Sequence, residues 1–266
     1  MSADPGKPRG VLRPAFERGA FEHRREAPSA PLRALVEHYW YVSWDMRGLP
    51  AQRQETLPHP NVQMVFEAGA GRIYGVQTER FVRLLEGRDQ VFGVKFRAGG
   101  FYPFLGAPVS TLADRALPVD EVFGAGAATL AGRILGAADM AARVAIAEDF
   151  LLARLPAVDS EVARVGALVA AIAADHGVTA VAQLTAGAGL DKRALQRLFQ
   201  KYVGIGPKWV IQRYRLHEAV ARVQEGGVVA WTELALALGY FDQAHFIRDF
   251  RRLVGSTPSE YARSLA

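Results

Sequence analysis

The last third of the chain contains an internal repeat with a nearly constant spacing. Leu184 and Gly189 correspond to Leu234 and Gly239, 50 positions later. Six further positions correspond at a spacing of 51, namely Asp191, Leu195, Arg197, Phe199, Gly204 and Pro207 with Asp242, Phe246, Arg248, Phe250, Gly255 and Pro258. The second copy therefore carries one extra residue between its two halves. Any fold of this chain must therefore contain two copies of one small unit, which follow each other closely in the sequence.

Each copy has the pattern of two short helices joined by a turn. In the second copy, Leu234 and Leu238 fall on one helical face, and Gly239 follows where a left-handed helix end favours glycine. Asp242 can then cap the next helix, which Gly255 ends. The first copy repeats this plan, and a helix predicted from Pro207 to about Gln224 connects the two copies. The pattern predicts two helix-turn-helix motifs joined by one long helix.

A pair of solenoid hairpins is the alternative interpretation of such a repeat. Solenoids need three or more stacked copies, and this sequence contains two. The short turns marked by glycine are also typical of helix-turn-helix motifs. We therefore favour the helix-turn-helix interpretation.

Positive charge is concentrated in the first copy and in the helix that follows it. Between Asp191 and Arg215 there is one acidic residue, against seven basic ones: Lys192, Arg193, Arg197, Lys201, Lys208, Arg213 and Arg215. Excess positive charge on a small surface is typical of phosphate binding. The net charge of +5 for all 266 residues adds little to this local signal.

The same residues resemble the DNA-binding domain of the AraC/XylS family of transcription regulators, over roughly residues 160–264. The first half is similar at Leu195–Phe199, Gly204–Pro207 and Arg213–Ala219, and the second at Glu233–Ala235, Leu238–Phe250 and Gly255–Tyr261. The resemblance implies that both motifs bind successive turns of the DNA major groove. The chain departs from the family pattern at Thr185, Gly187 and Gly189, where the family prefers alanine. An interior glycine costs a helix about 1 kcal/mol relative to alanine.

The candidate DNA contacts lie on the second helix of each motif and, beside the first motif, on the connecting helix. Arg193, Gln196 and Arg197 share a face opposite the apolar residues, where arginine suits guanine and glutamine suits adenine. The full set of candidates is Arg193, Gln196, Arg197, Lys201, Lys208 and Arg213 for the first motif, and Gln243, Ala244, His245, Arg248 and Arg251 for the second. For His245, contact with DNA and packing against its own helix both remain open.

The chain is predicted to be an α+β protein with a β-rich partial barrel in front of an all-α domain. Residues 1–30, which combine prolines with scattered charge, are predicted to be poorly ordered. Residues 31–157 are predicted to form the β-rich domain, which ends in helices, and residues 158–266 the DNA-binding domain. Strands are predicted at 41–44, 62–66, 72–76, 81–85 and 91–96, and helices between 127 and 155. In strand 91–96 we expect Phe92, Val94 and Phe96 to face the interior.

The front part resembles an uncharacterised sensor-type domain found before this DNA-binding module, at Glu37–Trp40, Leu57–Asn61 and Phe92–Phe101. Related front domains of AraC/XylS regulators are cupin-like, and they bind small effectors or mediate dimer formation. Candidate effector-binding residues are Trp40, Trp44, His59, Phe66, Tyr74 and Phe96. The alternative is that these aromatic residues only form the core, with His59 a turn residue between two prolines.

Composition excludes several kinds of chemistry. The chain has no cysteine, which removes thiolate nucleophiles and cysteine-based metal sites. DNA-repair alkyltransferases, which carry a similar DNA-binding module, are excluded on this ground. The front part has no His-x-His pair for a metal, so we expect no catalytic residues, metal or cofactor. With neither a span of ~18 apolar residues nor a signal sequence, a cytoplasmic protein is expected.

These observations predict a sequence-specific regulator that binds double-stranded DNA under the control of an unidentified small-molecule effector. A second copy of the chain is another candidate partner, as is RNA polymerase if the protein activates transcription. Two alternatives remain open. One is a constitutive DNA-binding protein whose front domain only mediates dimerisation, and the other is an effector-modifying enzyme fused to a DNA reader.

Overall fold

The front part of the chain is built on β-strands. The structure, a computed structural model, describes residues 10–12, 19–226 and 230–265. Its strands are β1 Ala20–Glu26, β2 Val36–Asp45, β3 Gln52–Thr56, β4 Gln63–Glu67, β5 Ala70–Tyr74, β6 Phe81–Leu85, β7 Arg88–Phe96 and β8 Ala116–Pro118. The described residues of this front domain also form four α-helices, α1 Tyr102–Leu105, α2 Val119–Phe123, α3 Leu130–Leu135 and α4 Met140–Leu152.

The C-terminal part is entirely helical within the described ranges. Its elements are α5 Ser160–Ala174, α6 Val181–Ala188, α7 Lys192–Tyr202, α8 Pro207–Gln224, α9 Trp231–Ala237, α10 Gln243–Val254 and α11 Pro258–Arg263. The pairs α6–α7 and α9–α10 are the two copies of the repeat, and α8 connects them. We call α5 to α11 the helical domain.

Six strands form one antiparallel sheet in the order β1-β2-β7-β4-β5-β8, and β3 pairs with β6 in a second, two-stranded sheet. The long strands β2 and β7 form the centre, with Trp40 directly opposite Gly93. A Cβ atom at Gly93 would overlap the Trp40 ring, so glycine is what lets the indole lie flat on the sheet.

The two faces of the large sheet are buried against different elements. Phe92, Val94 and Phe96 point toward α3 and α4, as predicted, in a core that also contains Tyr39 and Phe66. Trp44 and Val91 point the other way and pack with Leu85 of β6. The alternation of side chains along each strand therefore separates the front domain into two cores.

The helical domain also has two cores, one around each copy of the repeat. Leu195 and Phe199 of α7 pack against α5, α6 and α8. Phe246 and Phe250 of α10 pack against α8, α9 and α11. The connecting helix α8 contributes to both cores, which joins the copies through one rigid element.

The predicted α+β class, with a β-rich front and a helical end, is confirmed. The prediction of poor order over residues 1–30 is wrong for Ala20–Glu26, because this segment pairs along its full length with β2. Strands β3 and β8 were not predicted. None of the described helices is both long and apolar enough to cross a membrane.

Candidate DNA-binding surface

The helix α7 presents one apolar and one polar face. Asp191 caps it, with Oδ1 accepting a hydrogen bond from the Ala194 backbone N–H at 2.7 Å. Leu195 and Phe199 are fully buried. The predicted contacts Arg193, Gln196 and Arg197 are all exposed on the opposite side. The first half of the helix therefore offers two guanidinium groups and one carboxamide to solvent.

The helix α10 repeats this design at the equivalent positions. Asp242 caps it through a 2.6 Å hydrogen bond from the His245 backbone N–H to Oδ1. Phe246 and Phe250 are buried, as the repeat predicts. The predicted contact Gln243 is half-buried. The other four predicted contacts on α10 are exposed, namely Ala244, His245, Arg248 and Arg251.

Two of the side chains on α10 have neighbours within the motif. The Thr232 hydroxyl donates to Gln243 Oε1 at 2.7 Å, which fixes the direction of that amide. The His245 ring lies edge-on to Tyr240 with ring centroids 5.4 Å apart. The His245 side chain is also exposed, so contact with DNA and packing within the motif both stay open. Phe241, which precedes the capping Asp242, is 89% exposed and was not predicted as a contact.

Glycine permits the tight turn in each motif. Gly189 has φ of 62° and Gly239 has φ of 78°, in the left-handed region. At Gly239 a Cβ atom would also overlap the Thr179 side chain. The turns therefore have the geometry that the repeat predicts.

The positive surface is smaller than the sequence suggests. Arg213 and Arg215, both counted in the basic cluster, are 2% and 1% exposed. Arg215 donates to the carbonyl oxygens of Ile172 and Asp175 at the end of α5. The exposed basic residues of the cluster are Lys192, Arg193, Arg197, Lys201 and Lys208.

Arg213 departs from the prediction that it contacts DNA. It donates to the Thr78 carbonyl oxygen of the front domain at 3.0 Å, and its guanidinium lies 4.5 Å from the centre of the Trp209 ring. Burial lowers the pKa of Arg213 to about 10. In this conformation its charge is turned toward the front domain and is not available to a phosphate.

The predicted contact Lys201 lies beside the front domain. Its Nζ is 4.9 Å from the centre of the Tyr102 ring, in the front domain, and 5.1 Å from that of Tyr202. A hydrogen bond with the Tyr102 hydroxyl is the main cause that raises the pKa of Lys201. Its ammonium group stays exposed and charged beside the first motif.

The front domain contacts the second motif through residues that the sequence did not identify as contacts between the two parts of the chain. Arg252 forms an ion pair with Glu79 at 3.2 Å, and Arg80 Nη1 donates to the Val254 carbonyl oxygen at 2.7 Å. Leu12 and Leu57 are buried within the core of this motif. Leu57 begins the Leu57–Asn61 motif, but nothing in the sequence indicates that it packs against the second helix-turn-helix motif.

The six candidate effector residues do not surround one cavity. Trp44 packs in the core under β6, and Trp40 and Tyr74 share that side of the sheet. Phe66 and Phe96 belong to the core on the helix side. His59 lies at the domain junction, with its ring centroid 4.3 Å from that of His217 on α8. The predicted set is therefore divided among three places.

Two families match the chain, each over one of its parts. Residues 24–118 match a family described as a domain of unknown function (DUF6597). Residues 184–264, which include both capped helices, match the family described as a helix-turn-helix domain. This chain carries an AraC-type helix-turn-helix domain. The resemblance drawn from the repeat and its flanking motifs is thereby confirmed.

Similar proteins extend this comparison. An uncharacterized HTH-type transcriptional regulator of Haemophilus influenzae is 28% identical over 102 residues, which is 38% of this chain and 33% of that protein. The chain thus matches about a third of the length of this curated relative.

Solved structures of ToxT from Vibrio cholerae are similar over most of the chain. An apo form with a single substitution has a TM-score of 0.44 at 11% identity, covering 91% of this chain and 100% of that one. A wild-type form bound to unsaturated fatty acid has a TM-score of 0.35 at 11% identity, covering 94% and 96%.

Proposed function

We propose that this chain is a sequence-specific DNA-binding transcription regulator whose helices α7 and α10 read two successive major grooves. The observation that carries the proposal is the pair of equally capped helices, each with an exposed polar face, at opposite ends of α8. The helix α8 has 18 residues, which is about 27 Å at 1.5 Å per residue. Successive major grooves on one face of DNA lie about 34 Å apart, so modest bending of the DNA brings both within reach.

The proposed base contacts are those that extend from the two helices into solvent. Arg193, Gln196 and Arg197 would read one half-site, since arginine pairs with guanine and glutamine with adenine through two hydrogen bonds each. Gln243 and Arg248 would read the other, with Ala244 against a thymine methyl group. His245 and Arg251 lie beside them on the same helix. Lys201 and Lys208 would bind phosphates.

The front domain would control how the two motifs are presented to DNA. It packs against both of them, and Arg213 connects it to α8. A ligand that binds one arrangement of the domains better than another shifts the population of DNA-competent molecules by its difference in affinity. In this proposal a small-molecule effector binds the front domain. The protein would work in the cytoplasm.

Two other roles of the front domain predict different behaviour. If it only mediates dimerisation, no small molecule changes the affinity for DNA, and dilution weakens binding. If it modifies an effector, a stabilising ligand is converted to product. Reciprocal linkage distinguishes sensing from both, since a true effector and the DNA site must change each other's affinity by the same factor.

The DNA-reading proposal is tested by selecting binding sites from a random duplex library with the full chain. We expect two conserved half-sites centred about 10–10.5 base pairs apart. Replacing Arg197 by alanine should cost about 1–3 kcal/mol at one base position and little elsewhere. Arg133→Ala is the control, because Arg133 is exposed on α3 in the front domain. A loss that is equal for every single-base variant of the site would contradict base reading by Arg197.

A further inference from the structure

The front domain contains a cavity of about 820 Å³ on the helix side of its large sheet. Tyr41, Ser43 and Asp45 alternate along β2 with their side chains on this side, and β1 and β7 provide the neighbouring walls. Arg143 of α4 lines the cavity from the helix layer. The volume is that of a binding site for a small molecule.

Arg143 is a buried cation for which the described part of the chain supplies no counter-ion. Its side chain is 8% exposed, and its Nε has no hydrogen-bond partner among the described residues. The guanidinium stacks on the Tyr41 ring, 4.4 Å from the ring centre. No carboxylate of the described residues lies within 4.0 Å of it. Burying an unpaired charge is costly, so an unpaired arginine that lines a cavity points to an anion that is bound there.

The neutral side chains nearby do not replace that anion. Gln90 Oε1 accepts from Arg143 Nη2 at 3.2 Å and from the Tyr41 hydroxyl at 3.1 Å. Gln90 Nε2 donates to the Leu135 carbonyl oxygen at 3.1 Å, which fixes the orientation of the amide. The amide thus supplies one neutral acceptor, while Nε and the charge of Arg143 remain unsatisfied by the described residues.

The acidic residues of the cavity are at its rim and have cations of their own. Asp89 lies 3.9 Å from Arg83. Glu22 pairs with Arg24 at 2.5 Å and Asp45 with Arg47 at 2.5 Å, and both Arg24 and Arg47 are largely exposed. The rim carboxylates can therefore accept hydrogen bonds from a hydroxyl or ammonium group of a ligand whose anionic end lies deeper, at Arg143.

We propose that this cavity binds a small organic carboxylate that also carries a hydrogen-bond donor, with its carboxylate paired to Arg143 and its donor directed to the rim. The inference deepens the proposed function, on which it rests, by naming the chemical class of the effector. Of the aromatic residues predicted to bind the effector, Trp44 borders this cavity, although its side chain packs on the opposite face of the sheet. Arg143 lies on α4, the last helix before the segment that leads into α5 of the helical domain.

The test measures the melting temperature of the full chain with a panel of small acids, each paired with its neutral amide. The panel contains L-phenylalanine, 3-phenyllactate, 3-phenylpropionate and citrate, so that the ammonium, the hydroxyl and the ring are varied around a carboxylate. We expect at least one acid to raise the melting temperature at millimolar concentration while its amide does not. In Arg143→Met the shift should vanish, whereas in Arg133→Met, which alters an exposed arginine on α3, it should persist.

The ligand-free variants provide a second measurement. Because methionine has a similar length and no charge, Arg143→Met should melt at or above the temperature of the wild type if the site is empty in the purified protein. A much lower melting temperature without ligand would show that Arg143 is structural and would overturn the proposal. Equal shifts with acids and amides, or shifts that survive in Arg143→Met, would overturn it too. Site selection on random DNA is independent of all these results, so failure of the carboxylate site is distinguishable from failure of the DNA-reading function.

Discussion

The two helix-turn-helix motifs are alike inside and differ in how the front domain supports them. Both use an aspartate cap and a left-handed glycine at equivalent positions. Among the described residues, the front domain contributes one buried residue to the core of the first motif, Ala98, which is 7% exposed. The core of the second receives Leu12 and Leu57, which are 1% and 0% exposed. The second motif is thus completed by residues far away in sequence.

The polar contacts follow the same division. Toward the first motif the front domain presents mainly ring and aliphatic surfaces, such as Tyr102 against Tyr202 with ring centroids 4.3 Å apart. Toward the second motif it presents Glu79 and Arg80, which bind Arg252 and the end of α10. A repeat in sequence therefore specifies the internal design of each motif, while its stability depends on what packs against it. We expect the second motif to depend more strongly on the front domain.

The largest expected effect is that of Leu57→Ala. Removing a fully buried leucine side chain costs about 2–5 kcal/mol. Because Leu57 packs with α8 to α11, amide hydrogen exchange should accelerate more in α10 than in α7. The control is Leu155→Ala, since Leu155 is 44% exposed and its loss should change stability by less than about 0.5 kcal/mol. If α7 loses as much protection as α10, the proposed asymmetry does not exist.

An intermediate effect is expected at the two helix caps. Asp191→Ala and Asp242→Ala each remove one side-chain hydrogen bond to the first turn, of 2.7 and 2.6 Å. Each should lower the free energy of unfolding by about 0.5–2 kcal/mol, as measured by urea denaturation. Similar losses would confirm that the motifs share one internal design. If only one of the two variants is less stable, the two motifs differ in their own structure and not only in their contacts with the front domain.

The smallest expected effect concerns the glycines of the first motif. Gly187 is exposed within α6, and a Cβ there would meet no atom within 4 Å. Gly187→Ala should therefore raise the free energy of unfolding by up to about 1 kcal/mol. Gly189→Ala adds the same methyl group at φ of 62° and should instead be destabilising. Destabilisation by both variants would mean that α6 is constrained by something other than helix propensity.

Features that depend on local sequence were predictable. The caps Asp191 and Asp242 and the inward face of β7 follow from spacing and alternation. Strand β1 was missed because its place depends on pairing with β2, which no local pattern in a charged segment reveals.

The exposure of the candidate contacts was predictable only where it follows from helical periodicity, as on α7 and α10. Arg213 and Arg215 were assigned to the basic surface because sequence shows their charge but not their partners. Those partners are the backbone carbonyls of residues between 40 and 135 positions away. The candidate effector residues are separated for a similar reason. The pairing and register of the strands decide on which face of the sheet each aromatic side chain lies.

The central claim is that the two motifs read two separate half-sites at the same time. It is tested most directly by footprinting the wild type, Arg197→Ala and Arg248→Ala on a selected DNA site. If both motifs read DNA, Arg248→Ala loses protection over the half-site read by α10 and keeps it over the other, and Arg197→Ala shows the reverse. Unchanged protection over the second half-site in Arg248→Ala would contradict it.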